Sequence, residues 1–131
     1  MQYVKYNRIT GDIISTGNIR GDLLPNLDTV DWTAMPGGAD PKTQYIDVTG
    51  PSVADKVDMP LLVSTSIITA DGVDSTTISN IAVGALVFSP AIGVVTINDG
   101  ELIFTTDLVG SYLFTFRKSE YLQKEITIDA V

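Results

Sequence analysis

Carboxylates are the only abundant side chains in this sequence that could carry catalysis. The 131 residues include 16 Asp and Glu but neither His nor Cys, which removes the commonest acid–base group and the readiest thiol nucleophile. Catalysis by two carboxyl groups requires that they face each other across a substrate, with one pKa raised by an apolar pocket. Aspartates three residues apart occur at Asp28/Asp31, Asp55/Asp58 and Asp71/Asp74. All three pairs lie in turn-rich stretches, which favours a role in turns and caps.

Metal binding and nucleophilic catalysis find little support in the sequence. Calcium prefers carboxylate and carbonyl oxygens, but no D-x-[DN]-x-[DN]-G loop is present. Two acidic turns, at residues 71–74 and 98–101, would offer such oxygens if they met at one end of a domain. Zinc lacks His and Cys ligands, and a Ser nucleophile lacks both a His base and a G-x-S-x-G elbow. We therefore predict no enzyme, no metal and no cofactor.

The distribution of charge and hydropathy argues against nucleic-acid and membrane partners. Five basic against eight acidic residues give residues 1–60 a net charge of −3, and three against eight give residues 61–131 a net charge of −5. Phosphate contacts need clustered Lys and Arg, whereas the only adjacent basic pair is followed closely by Glu120. The most apolar stretch, 81–95, is interrupted by Gly and Pro and is too short to span a bilayer. Residues 1–10 also lack the apolar core of a secretion signal.

The backbone signals predict an all-β protein. About a third of the residues are Val, Ile or Thr, which pack well on a pleated sheet and lose side-chain freedom in helices. Seven strands separated by short turns are predicted at 61–69, 74–81, 84–88, 92–97, 101–106, 111–118 and 123–129. This spacing is typical of a β-sandwich. We predict an immunoglobulin-like β-sandwich over 61–131, with another small sandwich or a barrel as the second choice.

Two features support a hydrophobic core in this second region. A hairpin is centred on Asn98-Asp99-Gly100, between two apolar strands. Tyr112 follows a turn at 107–110, close to where a tyrosine corner falls in immunoglobulin-like domains. By the two-residue period, one face of the last two strands carries Tyr112, Phe114 and Phe116, then Ile126 and Ile128.

The first sixty residues are predicted as a separate region, consisting of a β-hairpin and an irregular arm. The hairpin has strands at 3–6 and 13–16, joined by turn residues. Prolines and glycines interrupt residues 20–60, where the only clear strand is 44–48 and residues 52–58 support one helical turn at most. A stretch with so little regular structure is wrapped over the domain, laid along a partner or mobile.

Partner contact is favoured for the arm because it contains residue types that are enriched at interfaces. The predicted docking residues are Tyr3, Tyr6, Trp32, Met35, Tyr45 and Met59. The alternative is a purely structural role, in which the two hairpin tyrosines support the hairpin and Trp32 anchors the arm.

Several stretches resemble small structural proteins of tailed bacteriophages. Residues 3–13, YVKYNRITGDI, resemble the Y-D-x-x-T-G-x-I opening common in short tail-associated proteins, with Asn7 in place of the usual Asp. The immunoglobulin-like module that often follows is similar to this sequence at residues 68–81, 100–104, 110–116 and 121–126. The resemblance leaves residues 20–60 largely unmatched.

The resemblance implies a non-enzymatic structural protein of the virion, assembled in the host cytoplasm and either homo-oligomeric or present in many copies in the particle. Its partners would be other virion proteins, and the opening motif favours an accessory or adaptor component of the tail. A capsid decoration protein is also compatible. A host-surface glycan- or protein-binding module is an alternative that predicts Trp32 and Tyr121 exposed near each other. A carboxylate-only glycosidase predicts two acids roughly 5–10 Å apart in a cleft.

Overall fold

The computed structural model describes every residue from Met1 to Val131 and contains thirteen β-strands and one 3-10 helix, Gly21–Leu27. The strands are β1 (Gln2–Asn7), β2 (Ile13–Asn18), β3 (Trp32–Pro36), β4 (Gln44–Asp47), β5 (Ser52–Asp55), β6 (Leu62–Val63), β7 (Ile67–Ile68), β8 (Ser75–Ser79), β9 (Ala85–Ser89), β10 (Gly93–Ile97), β11 (Leu102–Thr105), β12 (Gly110–Lys118) and β13 (Tyr121–Ala130). The all-β prediction is therefore confirmed. By their contacts the residues form two compact units, which we call unit 1 (Met1–Val57) and unit 2 (Asp58–Val131).

Unit 1 is built around a three-stranded antiparallel sheet in the order β2-β1-β3. The predicted hairpin is present as β1 and β2, with a bulge between Lys5 and Tyr6. Its turn is held by Asn7, whose Oδ1 accepts hydrogen bonds from the backbone N–H groups of Ile9 and Thr10 at 2.8 and 2.9 Å. This is the local bonding that makes Asn and Asp common in turns.

The remaining strands of unit 1, β4 and β5, dock on the hairpin through Gly11. Gly11 has a φ of +78°, and its carbonyl accepts a hydrogen bond from the Ile46 N–H at 2.9 Å. A Cβ at this position would lie 1.9 Å from the Ile46 carbonyl oxygen, so only glycine fits. The close approach brings Ile46 to Val4 and Tyr6, and these three side chains form the buried core of unit 1.

Residues 20–60 carry more regular structure than their prolines and glycines predict. The sequence pattern indicates one strand there, whereas the structure has three, and residues 52–55 form β5 instead of the predicted helical turn. Pairing explains the difference, because β3 hydrogen-bonds to the distant strand β1, and β5 forms a hairpin with the preceding strand β4. Strands of four or five residues are too short to display a clear alternation.

Unit 2 consists of a five-stranded sheet in the order β10-β9-β12-β13-β7 and a three-stranded sheet in the order β11-β8-β6. Twelve hydrophobic residues share one buried core that draws on both sheets. Phe104 of β11 meets Phe114 of β12 edge to face, with ring centroids 5.0 Å apart. The predicted inward face is confirmed, since Phe114, Phe116 and Ile128 are fully buried.

Six of the seven strands predicted in unit 2 match observed strands to within two residues at each end. The seventh, at 61–69, is wrong as a single strand, because the chain divides there into β6 and β7 in different sheets. Ser64 Oγ and the Thr65 N–H both hydrogen-bond to Thr76 Oγ1, and these bonds hold the crossing between the sheets. β7 then runs parallel to β13. Because both halves have strand composition, the sequence pattern alone cannot show the crossing.

Candidate docking surface

The aspartates at 71 and 74 hold a turn together, as predicted. Asp71 Oδ1 accepts hydrogen bonds from the backbone N–H groups of Asp74 and Val73, at 2.8 and 2.9 Å. These bonds, that from Asp74 foremost, lower the pKa of Asp71. Asp74 Oδ2 accepts a further bond from the Thr69 N–H at 2.7 Å. A catalytic acid would need the opposite shift, a pKa raised by an apolar pocket.

Two other predicted aspartates also bond to nearby polar groups. Asp28 Oδ1 accepts a hydrogen bond from Thr33 Oγ1 at 2.6 Å and lies 3.7 Å from the Arg8 guanidinium. Asp55 Oδ1 accepts a bond from Gln44 Nε2 at 3.1 Å, across the β4–β5 pair. Both contacts are made with side chains and not with the nearby backbone N–H groups that a turn or cap role predicts, so among the three pairs only Asp71/Asp74 shows the predicted bonding.

The two acidic turns at 71–74 and 98–101 lie at opposite ends of β8. Thr105 Oγ1 donates a hydrogen bond to the Asp74 carbonyl at 2.8 Å at one end, and the Ile81 N–H donates to the Gly100 carbonyl at 3.1 Å at the other. A whole strand therefore separates the turns, and the cation site that their union would make does not form. No group of three His, Cys, Asp or Glu residues is arranged to hold a metal ion.

Two of the six predicted docking residues belong to cores. Tyr6 is buried in unit 1, because the alternation along β1 turns it inward with Val4. Met59 is fully buried in the core of unit 2, although it precedes the first strand of that unit. Neither side chain offers a surface to a partner, and we correct both assignments to core residues.

The other four predicted docking residues are half-buried: Tyr3, Trp32, Met35 and Tyr45. Met35 packs against the core of unit 1. The ring of Tyr3 lies across Gly17, where a Cβ would come within 3.1 Å of it. Trp32 begins β3, the strand against which the 3-10 helix packs. A docking role for these four stays a prediction.

Sequence reasoning missed an apolar cluster on the outward face of the five-stranded sheet. We call it the apolar face and define it as Leu86, Phe88, Val94 and Leu113, whose exposed fractions are 46, 50, 65 and 42%. Alternate residues of β9 fill the core, so that the residues between them point outward. The signal that was missed is the run Ala-Leu-Val-Phe in β9. Such a run is apolar on both faces of the strand, so one apolar face remains exposed unless another layer covers it.

The strand register makes the apolar face contiguous. Val94 of β10 lies opposite Phe88 of β9, and Phe88 in turn lies opposite Thr115 of β12. Leu113 is two residues from Thr115 on the same side of β12, and Leu86 is two residues from Phe88 on β9. Opposite neighbours on one face are about 5 Å apart and diagonal neighbours about 7–8 Å, which is within reach of large side chains, so these residues form one patch.

Charged residues flank this patch. Arg117 lies opposite Leu86, and Glu125 lies opposite Thr115 on the far side of β12. An apolar centre with a polar and charged rim is the usual composition of a protein–protein interface.

The edge next to the apolar face is β10, with the sequence GVVTI. It contains no charged residue and no proline, and it pairs with β9 over all five residues without a bulge. Natural edge strands usually carry a charged residue, a proline or a bulge, because each of these blocks pairing with another chain. The opposite edge of the same sheet, β7, is only two residues long. β7 pairs with only two residues of β13, whose remaining length carries Lys124 and Glu125, so β10 is the uncharged edge of this sheet that is open to a further strand.

Unit 1 contains a pocket of about 320 Å³ at one end of its sheet. The pocket is lined by Gln2, Tyr3, Thr16, Gly17, Asn18, Gly37, Gly38 and Ala39. None of these residues is charged, although the chain has a net charge of −8. Amide and hydroxyl groups in a space of this size fit a small uncharged polar ligand.

No protein-family model, curated protein or solved structure matches this chain. The structure also has no helix with the length and apolar character needed to cross a membrane.

Proposed function

We propose that this chain is a non-enzymatic structural protein of a bacteriophage particle, an accessory or adaptor component of the tail that docks onto neighbouring virion proteins. The observation that carries the docking role is the apolar face, where four large apolar side chains are exposed together. Contiguous apolar patches on a protein surface mark sites that another molecule covers. The resemblance of residues 3–13 to the opening of tail-associated proteins supports the assignment to the virion.

We infer further that unit 2 is an immunoglobulin-like sandwich. In the seven-stranded form of that fold the first, second, fourth and fifth strands share one sheet, and the third, sixth and seventh share the other. The orders β11-β8-β6 and β10-β9-β12-β13-β7 fit this arrangement at every strand except the fourth, since β10 pairs with β9 in the second sheet, and β7 is a second part of the first strand. The Tyr112 hydroxyl donates a hydrogen bond to the Leu108 carbonyl at 2.7 Å, which is the bond of a tyrosine corner.

The apolar face by itself gives weak binding. Full burial of a large apolar side chain stabilises by about 1.5–3 kcal/mol, and these four side chains are already about half covered, so docking gains roughly 4 kcal/mol. Association costs an estimated 4–15 kcal/mol in lost translational and rotational freedom. The face therefore holds a partner only together with further contacts, as in a particle where neighbouring copies act at once.

The test is incorporation into the particle. Phe88→Lys puts a charge at the centre of the apolar face, and we expect it to lower the number of copies per particle, counted by mass spectrometry. Ile103→Lys makes a similar change at an exposed position of the three-stranded sheet and should incorporate as the wild type does. Equal incorporation of both variants would contradict docking through this face. A chain that is absent from particles would overturn the structural role itself.

Fractionated particles decide where the protein sits. Recovery with purified tails supports the tail assignment, whereas recovery with heads that lack tails supports the capsid decoration alternative.

The neutral pocket of unit 1 favours a second candidate function, binding of an uncharged glycan at a host surface. Titration with neutral oligosaccharides, followed by NMR of the Asn18 and Gln2 side-chain amides, tests it. Saturable chemical-shift changes that Asn18→Asp abolishes would support glycan binding. Unchanged spectra at millimolar sugar would rule it out.

A further inference from the structure

We propose that β10 pairs with β10 of a second copy of this chain. The two strands would run antiparallel about a two-fold axis at Val95, so that two five-stranded sheets become one continuous ten-stranded sheet. The inference rests on the proposed assembly role and names the partner that lies beside the apolar face.

β10 is the edge best suited to strand addition. In unit 1, the pairing of β2 contains a bulge, β3 ends at Pro36, and β4 and β5 both end in Asp. In unit 2, β6 and β7 have two residues each. β11 is uncharged, but its outward face carries a single large apolar residue, Ile103. Only β10 combines an uncharged, regular five-residue edge with a neighbouring apolar face.

Charge explains why a second copy would choose this edge. Unit 2 carries nine acidic and three basic residues, so most approaches of one copy to another are repulsive. Pairing about Val95 places Val94 opposite Thr96 of the second copy. Beyond the strand, Asp99 comes opposite Ala91 in an uncharged turn, so that no carboxylate meets a carboxylate.

The pairing also extends the apolar face. Val94 is the most exposed member of the face and lies on its outer margin. In the dimer the two Val94 side chains become diagonal neighbours, about 7–8 Å apart, and join the two apolar faces into one. Main-chain hydrogen bonds along the edge supply the rest of the affinity, as in other cases of strand addition.

The size of the contact sets its strength. The five-residue edge and the Val94 side chain of each copy bury much less surface than the roughly 800 Å² per partner of a standard interface. We expect a dissociation constant of about 10 μM to 1 mM for the free protein, which the high local concentration in a particle would saturate.

The first test is sedimentation of the full chain from about 1 μM to 1 mM. The wild type should associate reversibly to a dimer. Val94→Lys brings two ammonium groups together on the diagonal and should weaken association at least about tenfold. Ile103→Lys is the matched control, since Ile103 and Val94 are 66 and 65% exposed, and it should associate like the wild type.

The second test fixes the register, and it is clean because the chain contains no cysteine. A mixture of Val94→Cys and Thr96→Cys chains should form a disulfide-linked heterodimer under mild oxidation, because these positions lie directly opposite each other. Either variant alone should cross-link at least about tenfold more slowly, since its own thiols lie on the diagonal, beyond the usual reach of a disulfide.

A wild type that stays monomeric at about 1 mM would overturn the pairing. So would an Ile103→Lys variant that loses association as strongly as Val94→Lys, or single-cysteine chains that cross-link as fast as the mixture. The proposed function is tested separately. If the wild type is monomeric but Phe88→Lys still lowers incorporation, only the second copy is ruled out as the partner. A dimer in solution with no chain in the particle removes only the virion role.

Discussion

The two units of this chain use different means to reach a defined structure. Unit 1 uses 57 residues and buries three hydrophobic side chains in its core, whereas unit 2 buries twelve in the remaining 74. Unit 1 compensates with backbone geometry, above all the contact of Gly11 with Ile46 and the turn held by Asn7. The structure of unit 2 is specified by alternating apolar residues, which its two sheets bury in one shared core.

The difference predicts where each unit is vulnerable. Unit 2 should be sensitive to the volume of its core side chains, and unit 1 to the backbone conformation of single residues. The following changes would break or sharpen this contrast.

The largest expected effect is that of Phe114→Ala in unit 2. Phe114 is fully buried and meets Phe104 edge to face. Its truncation leaves a cavity and should lower the free energy of unfolding by about 3–5 kcal/mol, measured in urea by amide exchange along β12. Leu113→Ala is the control on the same strand, because Leu113 points outward, and it should cost less than about 1 kcal/mol. Equal losses would show that the core of unit 2 is not what stabilises it.

Gly11→Ala should have the next largest effect, and on unit 1. The new Cβ would meet the Ile46 carbonyl oxygen at a position that also has a φ of +78°, so the β4–β5 pair must move away. We expect a loss of about 2–4 kcal/mol. Trp32 lies in unit 1 and is the only Trp of the chain, so its fluorescence reports this unfolding.

Gly50→Ala is the matched control for this substitution. A Cβ at Gly50 meets no atom within 4 Å, and the variant should match the wild type or be slightly more stable. If both alanine variants shift the Trp32 transition alike, the contact of Gly11 is not the feature that holds unit 1 together.

Tyr112→Phe tests the hydrogen bond between the Tyr112 hydroxyl and the Leu108 carbonyl. The change removes the hydroxyl that bonds to the Leu108 carbonyl and keeps the ring beside Phe104. We expect a loss of about 1 kcal/mol in urea unfolding, because the carbonyl lies in an exposed turn and regains water. Tyr121→Phe removes a hydroxyl from another ring that packs on the same core and is the comparison. A larger loss for Tyr121→Phe would place the important hydroxyl elsewhere.

The smallest effect concerns pH and the turn at residues 71–74. The pKa of Asp71 is lower in the folded chain than its ordinary 3.8, because the backbone N–H groups of Asp74 and Val73 stabilise the carboxylate. The folded state therefore binds fewer protons than the unfolded one near this pH. The stability that results is present above about pH 3.8 and is lost as the pH falls towards the folded pKa.

Asp71→Asn should flatten this part of the stability profile below about pH 4 in thermal unfolding. Asp107→Asn removes the same charge from the neighbouring loop and separates the effect of net charge from that of the turn bonds. An unchanged profile in Asp71→Asn would mean that the turn does not contribute to acid unfolding.

Strands and inward faces were easier to predict from the sequence in unit 2 than in unit 1. In unit 2 the inward positions of Phe114 and Ile128 could be predicted, because a two-residue period sustained over nine or ten residues has one physical solution. In unit 1 the period is interrupted. β3 was missed because its pairing partner β1 lies about thirty residues away in the sequence, and β5 was missed because it has only four residues.

The candidate site was harder to predict than the fold. Residue type pointed to Trp, Tyr and Met, yet Tyr6 and Met59 lie in cores. The apolar face consists of Leu, Phe and Val, which the composition of any β-protein contains. What distinguishes Phe88 is that the sheet has no covering layer above it, and this depends on the whole arrangement of strands.

The sequence by itself determined the all-β class, most of the strands of unit 2 and the role of Asp71 and Asp74 in their turn. These properties arise from side-chain shape and from hydrogen bonds between residues close together in the chain. Only the tertiary structure decided which strands lie at edges, which apolar residues stay exposed and that Gly11 must touch Ile46. Those properties depend on contacts between distant segments, because burial belongs to the assembled sheets and not to any residue alone.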